Sequence, residues 1–374
     1  MKKIYWFLQQ LEFLGGTETA TISIANELVN IYDITFIITA RAIKNPPYEI
    51  DKRIKIIYLG NENNSKIDEK IAEFCRKKLY FKAFLLIIKN INFTLFTKYK
   101  YRKQIKKMTS TKDILIASSL DNYLIIPRKR YCIFHYHFNG KFFNSFNERF
   151  MSIFYRKPDK YIFLNDTILK ACTKNKKSLK NISYAIENPI KIKAYYNLNF
   201  YNNSLVFVGR FAEQKNPLFL IESINELQKT FKDFHLDMYG SGKLKNEIIA
   251  KITKYNLDNF ISVHEANNDI YAILKNKDLL ILTSIYEGMP LVINEAASQS
   301  IPTFSTNFGE STKDCISDNS GIFVDTNNPK IFAKELENLL RDNFKLLNLK
   351  EGAYNYSKKY SVETIIEKWK IILK

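Results

Sequence analysis

The sequence predicts an α/β protein made of two doubly wound, Rossmann-like domains that face each other across a cleft. The length of 374 residues suits two domains, and an apolar content of 46% is enough to fill two cores. Apolar runs of strand length alternate with amphipathic helical segments, which indicates parallel sheets covered by helices. The charge also divides the chain, because residues 1–190 hold 34 basic and 16 acidic residues, whereas residues 191–374 hold 23 and 22.

Each half has its own series of elements. In the first half we predict strands at 3–8, 33–39, 54–59, 113–117, 131–135 and 160–164, and helices at 17–30, 142–155 and 166–176. In the second half we predict strands at 204–208, 234–239, 260–264, 278–283, 302–304 and 321–324, and helices at 216–231, 243–255, 268–276, 290–300, 329–341 and 361–373. Asn188-Pro189 marks a turn where the composition changes. We therefore expect domains at 1–188 and 189–357, followed by a C-terminal helix within 358–374.

Two carboxylates, Glu287 and Glu295, have seven residues between them around a predicted strand-to-helix turn. The chain leaves a buried strand, turns at Glu287-Gly288 and enters a helix near Pro290, since proline is favoured at the first helical position. The N–H groups of that first turn form an anion site. This arrangement suits a ligand with both a phosphate and sugar hydroxyls, although an ordinary turn with two solvated glutamates has the same local pattern.

The two carboxylates are better suited to binding than to glycoside hydrolysis. A retaining hydrolase holds its acid and nucleophile about 5–5.5 Å apart. Eight residues of helix would separate Glu287 and Glu295 by about 12 Å.

Three further loops follow predicted strands. Gly15-Gly16 opens the first helix, and its backbone can approach a ligand closely. No G-x-G-x-x-G run is present there, which disfavours a nicotinamide cofactor. After Gly209, the cations Arg210 and Lys215 can converge on a diphosphate, the first as a fork and the second as a point charge. Gly240 stands in a similar loop, for which a tight turn is the simpler interpretation.

Together these segments resemble the retaining glycosyltransferases of the GT-B fold, of the glycosyltransferase group 1 (family 4) type. The resemblance rests on the Glu287–Glu295 spacing and on Gly209-Arg210 followed by Lys215-Asn216-Pro217, and it covers about residues 204–345. It implies that Arg210 and Lys215 bind and stabilise a nucleoside diphosphate, that Glu295 binds the ribose hydroxyls and that Glu287 lies near the transferred sugar. It also implies that the backbone from Gly288 through Met289, Pro290 and Leu291 faces sugar or phosphate.

The resemblance assigns further residues in both halves. Gly15 and Gly16 would lie under the donor phosphates or beside the acceptor. Gly240 would help to shape the nucleotide pocket, and His264 would lie near the base, although Glu265 replaces the glycine that many relatives have after it. His135 ends an apolar run where family members often carry a functional histidine, and we expect it to contact acceptor or donor sugar. The C-terminal helix would cross back to the first domain.

The first half carries a strongly basic segment. Residues 74–107 hold 11 basic residues and no acid, interleaved with aromatic and aliphatic residues. A basic amphipathic segment is typical of membrane-surface elements, where each cation contributes about 1 kcal/mol near an anionic surface. A solvated basic face over an ordinary core is the alternative. Nucleic acid is a less favoured partner, because no nucleic-acid-binding module is present in the sequence.

The cysteines and the hydropathy of the sequence limit the cellular compartment that we expect for the protein. Four isolated cysteines, none in a C-x-x-C pair, indicate a reducing compartment and disfavour a structural zinc site. The apolar run Ile4 to Leu8 is too short for a signal peptide, and no apolar stretch reaches the roughly 18 residues of a membrane span. We expect a cytoplasmic protein at the inner face of the membrane.

The resulting hypothesis is a retaining, metal-independent glycosyltransferase with no cofactor, since no convincing Asp-x-Asp metal site is present. It would move a sugar from a nucleotide-diphosphate sugar, UDP being the commonest class among relatives, to a glycan or lipid-linked acceptor in cell-surface polysaccharide assembly. A non-catalytic membrane- or nucleic-acid-binding protein on a degenerate GT-B scaffold is one alternative. A GT-B phosphorylase is another, although that class normally has a longer chain.

Overall fold

A computed structural model describes residues 1–12, 15–40, 42–43, 46–60, 96–137, 157–174, 177–190, 195–267, 269–309 and 311–374. The predicted helix at 142–155 and the larger part of the basic segment 74–107 lie outside these residues. Within the described ranges, no helix combines the length and the apolar content that crossing a bilayer requires.

The first half of the chain forms a seven-stranded parallel sheet in the order β3-β2-β1-β4-β5-β6-β7. Its strands are β1 Lys3–Leu8, β2 Asp33–Ile38, β3 Lys55–Tyr58, β4 Ile114–Ala117, β5 Tyr131–Tyr136, β6 Lys160–Phe163 and β7 Ser183–Ala185. The helices among its described residues are α1 Gly16–Leu28, α2 at 96–108, α3 Leu120–Leu124, α4 Asp166–Thr173 and α5 Lys177–Lys180.

The second half forms a six-stranded parallel sheet in the order β10-β9-β8-β11-β12-β13. Its strands are β8 Ser204–Val208, β9 His235–Tyr239, β10 Ile261–His264, β11 Leu279–Leu282, β12 Thr303–Thr306 and β13 Gly321–Val324. Its helices are α6 Pro217–Leu227, α7 Lys245–Lys254, α8 Ile270–Leu274, α9 Leu291–Ser298, α10 Thr312–Cys315, α11 Pro329–Leu340, α12 Asn343–Ser357 and α13 Val362–Leu373.

The two sheets confirm the predicted doubly wound architecture. The predicted strands are present within two residues of their expected bounds, and the predicted helices that fall on described residues end up to four residues early. Strand β7 and helices α3, α5, α10 and α12 were not predicted, and α2 overlaps the basic segment. The chain order reverses between β1 and β4 in the first sheet and between β8 and β11 in the second. Ligands of such sheets bind at this switch point, beyond the carboxyl ends of the strands.

Strand β1 illustrates why the sheets are buried on both faces. Ile4, Trp6 and Leu8 point into one core cluster, whereas Tyr5 and Phe7 point into another. A strand covered by helices on both sides needs apolar residues at successive positions, which gives a continuous apolar run.

Two sets of contacts join distant parts of the chain. Helix α13 packs on the first sheet, where Trp369 is fully buried with its ring centroid 5.1 Å from that of Trp6. At the start of α4, the Thr167 N–H donates to the Asp314 carboxylate of α10 over 3.3 Å. The domain bounds at 188 and 357 stay predictions.

Candidate active site

An ion pair lies at the switch point of the second sheet. Lys215 follows β8, Glu287 follows β11, and these two strands are neighbours. The Lys215 Nζ is 2.5 Å from the Glu287 Oε1, and the side chains are only 14% and 9% exposed. A charged pair this buried is costly to desolvate. Two sequence-predicted residues are therefore in direct contact at the edge where ligands of this fold bind.

The loop after β8 fixes the course of the Lys215 side chain. A short 3-10 turn spans Glu213–Lys215, and Asn216 takes a left-handed conformation with φ of 48° directly before Pro217, the first residue of α6. The Thr283 hydroxyl lies 3.0 Å from the carbonyl oxygens of both Lys215 and Asn216. The Lys215 side chain then runs past Gly209, where an added Cβ would lie 3.5 Å from Cε.

Arg210 lies in the same loop as Lys215, after β8. Its side chain is exposed, and Nη2 donates to the Gln214 Oε1 over 3.2 Å. Gln214 was not among the sequence-predicted residues, because a glutamine in a polar loop carries no signal of its contacts. An exposed guanidinium and a buried ammonium in one loop offer an anion two cations of different geometry.

The loop after β11 leads into α9 without a side-chain cap. Pro290 is the residue before the helix and Leu291 the first helical residue, one position later than the sequence indicated. The N-cap residue, Pro290, makes no side-chain cap hydrogen bond at this helix start. Such groups favour an anion. The loop itself is held by the Ser311 hydroxyl, which donates to the Glu287 carbonyl oxygen over 2.9 Å, while Gly288 and Met289 connect Glu287 to the helix.

Glu295 lies one turn into α9, on the same face as Leu291. Its side chain is largely enclosed, and burial raises the pKa of the Glu295 carboxyl from 4.5 to about 7. Tyr271 of α8 is close enough for the two groups to interact, since burial and then the Glu295 charge raise the pKa of the Tyr271 hydroxyl. A carboxylate poised near neutral pH is a strong acceptor for ligand hydroxyls once it is ionised.

The first half contributes its glycine loop to the same region. The Gly15 N–H donates to the Tyr48 hydroxyl over 2.9 Å, and α1 starts at Gly16. A Cβ at Gly16 would lie 3.7 Å from the Leu291 Cδ1. The structure therefore brings the loop after β1 against the start of α9, and the two switch points face each other.

Gly240 and His264 lie at neighbouring strand ends. A Cβ at Gly240 would fall 2.0 Å from the Gly209 carbonyl oxygen, so glycine allows this close backbone approach. The His264 Nε2 is 2.6 Å from the Asp237 Oδ1, and the ring stacks on Tyr239 with centroids 4.4 Å apart. The His264 ring is therefore held by Asp237 and Tyr239. The backbone carbonyl of His264 accepts from the Gly240 N–H over 3.2 Å.

His135 lies apart from these groups. Its ring is 1% exposed and packs edge-on against Trp369 at 5.1 Å, with Trp6 at 6.3 Å. The His135 Nδ1 is 3.2 Å from the His137 Nε2. Burial and the neighbouring His137 hold the pKa of His135 well below 6.5, and burial lowers the pKa of His137 to about 3. Among the described residues, the His135 ring contacts Trp369 of the C-terminal helix, Trp6 and His137, but neither Glu287 nor Lys215.

No group of three or more histidine, cysteine or acidic side chains is arranged for a metal within the described ranges. The groups gathered at the switch point are instead two cations, two carboxylates and an uncapped helix start.

Comparisons with known proteins bear on the family and the fold. Residues 190–358 match the family described as Glycosyl transferases group 1. The chain is 24% identical to an uncharacterized glycosyltransferase of Haemophilus influenzae, with all of both chains covered. A stretch of 159 residues, 41% of this chain, is 33% identical to 40% of an Escherichia coli protein named UDP-Gal:alpha-D-GlcNAc-diphosphoundecaprenol alpha-1,3-galactosyltransferase.

The fold has solved counterparts. A mutant of TarM from S. aureus, crystallised with fondaparinux, alpha-GlcNAc-glycerol and UDP, superposes with a TM-score of 0.78 at 15% identity, with all of both chains covered. Residues 190–358 of this chain therefore match the group 1 glycosyltransferase family, and the chain has the GT-B fold, with two Rossmann-like domains.

Proposed function

We propose that this glycosyltransferase moves a sugar from a UDP-sugar to a glycan or lipid-linked acceptor, with retention at the anomeric carbon, in cell-surface polysaccharide assembly. The observation that carries the proposal is the buried Lys215–Glu287 pair, flanked by the exposed Arg210 and by the uncapped start of α9. Cations and a helix start suit a diphosphate, and a carboxylate beside them suits a sugar hydroxyl.

The ion pair can bridge the two parts of the donor. A lysine ammonium has three N–H donors, and one of those on Lys215 is used by Glu287, so two remain for phosphate oxygens. Glu287 has a second oxygen for a sugar hydroxyl. When the bond between the anomeric carbon and the phosphate oxygen breaks, its electrons pass to the nucleoside diphosphate. Arg210, Lys215 and the backbone N–H groups of Gly288, Met289 and Leu291 would stabilise that charge.

We propose that no metal ion takes part, because these groups would themselves neutralise the negative charge of the diphosphate. The acceptor hydroxyl would attack from the face that the diphosphate leaves, which gives retention, and its proton would pass to the departing phosphate oxygen. Glu295, in its ionised form, would accept hydrogen bonds from the ribose hydroxyls. His264 would lie near the base, and Gly240 would help to shape the nucleotide pocket.

The choice of UDP and of a lipid-linked acceptor is supported by two relatives. The E. coli protein is named for UDP-Gal and for a diphosphoundecaprenol-linked sugar, and the TarM crystals hold UDP.

Residues 1–188 would bind the acceptor, with Gly15 and Gly16 beside it or under the donor phosphates. Residues 189–357 would bind the donor, and 358–374 would brace the first domain. His135 would contact the acceptor or donor sugar only if Trp369 moved away from the His135 ring.

Membrane docking is supported by the exposed face of α2. Phe96 and Tyr99 are 67% and 65% exposed, and the cations Lys100, Lys103 and Lys107 continue the same stripe at helical spacing. Aromatic rings beside cations suit the interface of an anionic membrane. We propose that this face holds the enzyme at the inner leaflet, on the cytoplasmic side. Residues 74–95 lie outside the described part.

The donor class is tested by thermal unfolding with UDP, GDP, ADP and CMP. A nucleotide at 100 times its dissociation constant should stabilise the wild type by about 2.7 kcal/mol. Glu295→Ala should lose most of this shift, whereas Glu335→Ala, at an exposed position of α11, should keep it. If another nucleotide stabilised the protein instead, that nucleotide would take the place of UDP in the proposed donor. If none of them stabilised it, the result would favour the non-catalytic scaffold.

The transfer itself is tested with several UDP-sugars as donors and with undecaprenyl-diphosphate-linked glycans in detergent as acceptors. The anomeric proton coupling of the product, measured by NMR, distinguishes retention from inversion. A product with inverted configuration would contradict the proposed mechanism without affecting the assignment of the donor site.

A further inference from the structure

Gln214 joins the two loops of the candidate active site through three hydrogen bonds. Its Oε1 accepts from the Arg210 Nη2 over 3.2 Å, and its Nε2 donates to the Tyr286 carbonyl oxygen over 3.1 Å. Its own backbone carbonyl accepts from the Ile285 N–H over 2.8 Å. One residue of the loop after β8 is therefore bonded to a cation of its own loop and to the segment directly before Glu287.

The side-chain amide suits this position because it supplies one acceptor and one donor. A guanidinium can only donate and a carbonyl can only accept, so the two partners fix which way the amide points. A glutamate would lack the donor for Tyr286, and an apolar side chain would lack both groups.

The contacts of Gln214 bear on both functional side chains. The backbone of Glu287 is held from two sides, since Gln214 bonds the carbonyl before it and Ser311 bonds its own carbonyl. Arg210 is exposed, and Gln214 is its hydrogen-bonded partner among the described residues. A long side chain loses rotamer freedom when it binds a ligand, and a contact that orients it beforehand reduces this loss.

We propose that Gln214 is a positioning residue for the transfer reaction. It orients the Arg210 guanidinium toward the diphosphate and fixes the backbone on which Glu287 is carried. The inference rests on the proposed function, because it assumes that Arg210 binds the diphosphate of the donor.

The experiment measures UDP and uridine binding by calorimetry for the wild type, Gln214→Met, Arg210→Ala and the double variant. Methionine keeps the length of glutamine and removes the amide. Gln214→Met should weaken UDP binding about tenfold, as expected for one lost orienting hydrogen bond, and leave uridine binding within about twofold. The double variant should bind UDP like Arg210→Ala, since residues that act as one unit are not additive.

The matched control is Gln228→Met. Gln228 is half-buried like Gln214 and also donates from its amide, to Asn225 over 3.2 Å, but it lies at the end of α6. This control should bind both ligands like the wild type. Any of three results would overturn the inference. These are unchanged UDP binding by Gln214→Met, an equal loss of affinity for UDP and uridine, and additive losses in the double variant.

Crystal structures of the unliganded wild type and Gln214→Met test the geometry without a nucleotide. Displacement of Arg210 and of the backbone at 285–287 in the variant supports the inference, and their unchanged positions overturn it. If the wild type binds neither UDP nor another nucleoside diphosphate, the proposed function fails, and these two structures still decide whether Gln214 orients both groups.

Discussion

At the residue scale, the carboxyl of Glu295 makes the stability of the fold depend on pH. Its pKa is raised from 4.5 to about 7, so the folded state holds the proton more tightly than the unfolded state. This group therefore destabilises the fold as pH rises from about 4.5 to about 7, and the full cost is present above that range.

We expect Glu295→Gln to stabilise the protein by about 2–3 kcal/mol at pH 8 and to change little at pH 4.5. Urea unfolding at both pH values measures the difference. Glu335→Gln, in the exposed part of α11, serves as the control and should show no such pH dependence. An equal effect of Glu295→Gln at the two pH values would argue against the raised pKa.

A second buried charge ties α12 to the second sheet. The Lys350 Nζ lies 3.0 Å from the Asp278 Oδ1, with side chains 1% and 0% exposed, and it also donates to the Asn199 carbonyl. Removing one partner of a buried pair leaves the other charge uncompensated, which costs about 3–5 kcal/mol.

Lys350→Met should therefore lower the free energy of unfolding by about 3–5 kcal/mol, measured by urea unfolding. Adding Asp278→Asn should restore part of the loss, because the amide carries no charge. Lys345→Met changes an exposed lysine of the same helix and should have little effect. If Lys345→Met and Lys350→Met were equally destabilising, the loss would come from the helix and not from the pair.

The sequence could predict which residues share the edge of the second sheet, because Arg210, Lys215 and Glu287 each follow a strand. It could not predict that Lys215 pairs with Glu287, since 72 residues separate them and the pair depends on the tertiary fold. It likewise gave no sign that the ring of His135 is covered by Trp369, which lies in the last helix.

At the element scale, α2 presents its aromatic and basic stripe to solvent. Changing Lys100, Lys103 and Lys107 to glutamate should reduce flotation with anionic liposomes about 100-fold or more, since each cation contributes about 1 kcal/mol at such a surface. Arg102 is kept, because its guanidinium donates to the Leu124 carbonyl.

The control for this experiment changes three exposed lysines of the second half, Lys330, Lys334 and Lys345, to glutamate. It alters the net charge equally but leaves α2 intact, so it should float like the wild type. Equal flotation of both charge variants would show that net charge alone, or no charge at all, governs binding.

Helix α12 shows why one long helix escaped prediction. Its buried face includes Lys350 and Ser357, which break the apolar period, and Gly352 stands in its interior. Interior glycine indicates a break in a helix. In the structure, a Cβ at this position would lie 1.8 Å from the Asn319 carbonyl oxygen, so glycine is required by a close approach of backbone. Strand β7 was missed because three residues, Ser-Tyr-Ala, form no apolar run.

We therefore expect Gly352→Ala to destabilise the protein by about 1–3 kcal/mol, although alanine normally favours a helix by about 1 kcal/mol over glycine. Thermal unfolding followed by circular dichroism checks the direction. Glu351→Ala, at the exposed neighbouring position, should be close to neutral. A stabilised Gly352→Ala variant would mean that the Asn319 segment moves away at little cost.

At the scale of the whole molecule, α13 completes a core that begins at the first strand. Trp369 is fully buried against Trp6, and the Lys160 Nζ donates to the Ile372 carbonyl over 2.7 Å. Trp369→Ala should lower the free energy of unfolding by about 3–5 kcal/mol, because a large buried side chain leaves a cavity.

The control for Trp369→Ala lies two residues along the same helix. Ile371 is 68% exposed, so Ile371→Ala should change the stability by less than about 0.5 kcal/mol. Urea unfolding of both variants separates packing on the first sheet from the helical preference of α13. Similar losses in both variants would contradict the packing account.

The position of α13 also has a consequence for synthesis on the ribosome. The core cluster around Ile4 and Trp6 includes Ile365, Ile366 and Trp369. N-terminal domains usually fold first, at translation rates of about 5–20 residues per second. Here the first sheet emerges long before α13, which leaves the part of its apolar face that α13 covers open for roughly 10 to 40 s. We expect the nascent first half to be accessible to chaperones during this interval, and to reach its final packing only after α13 has left the exit tunnel.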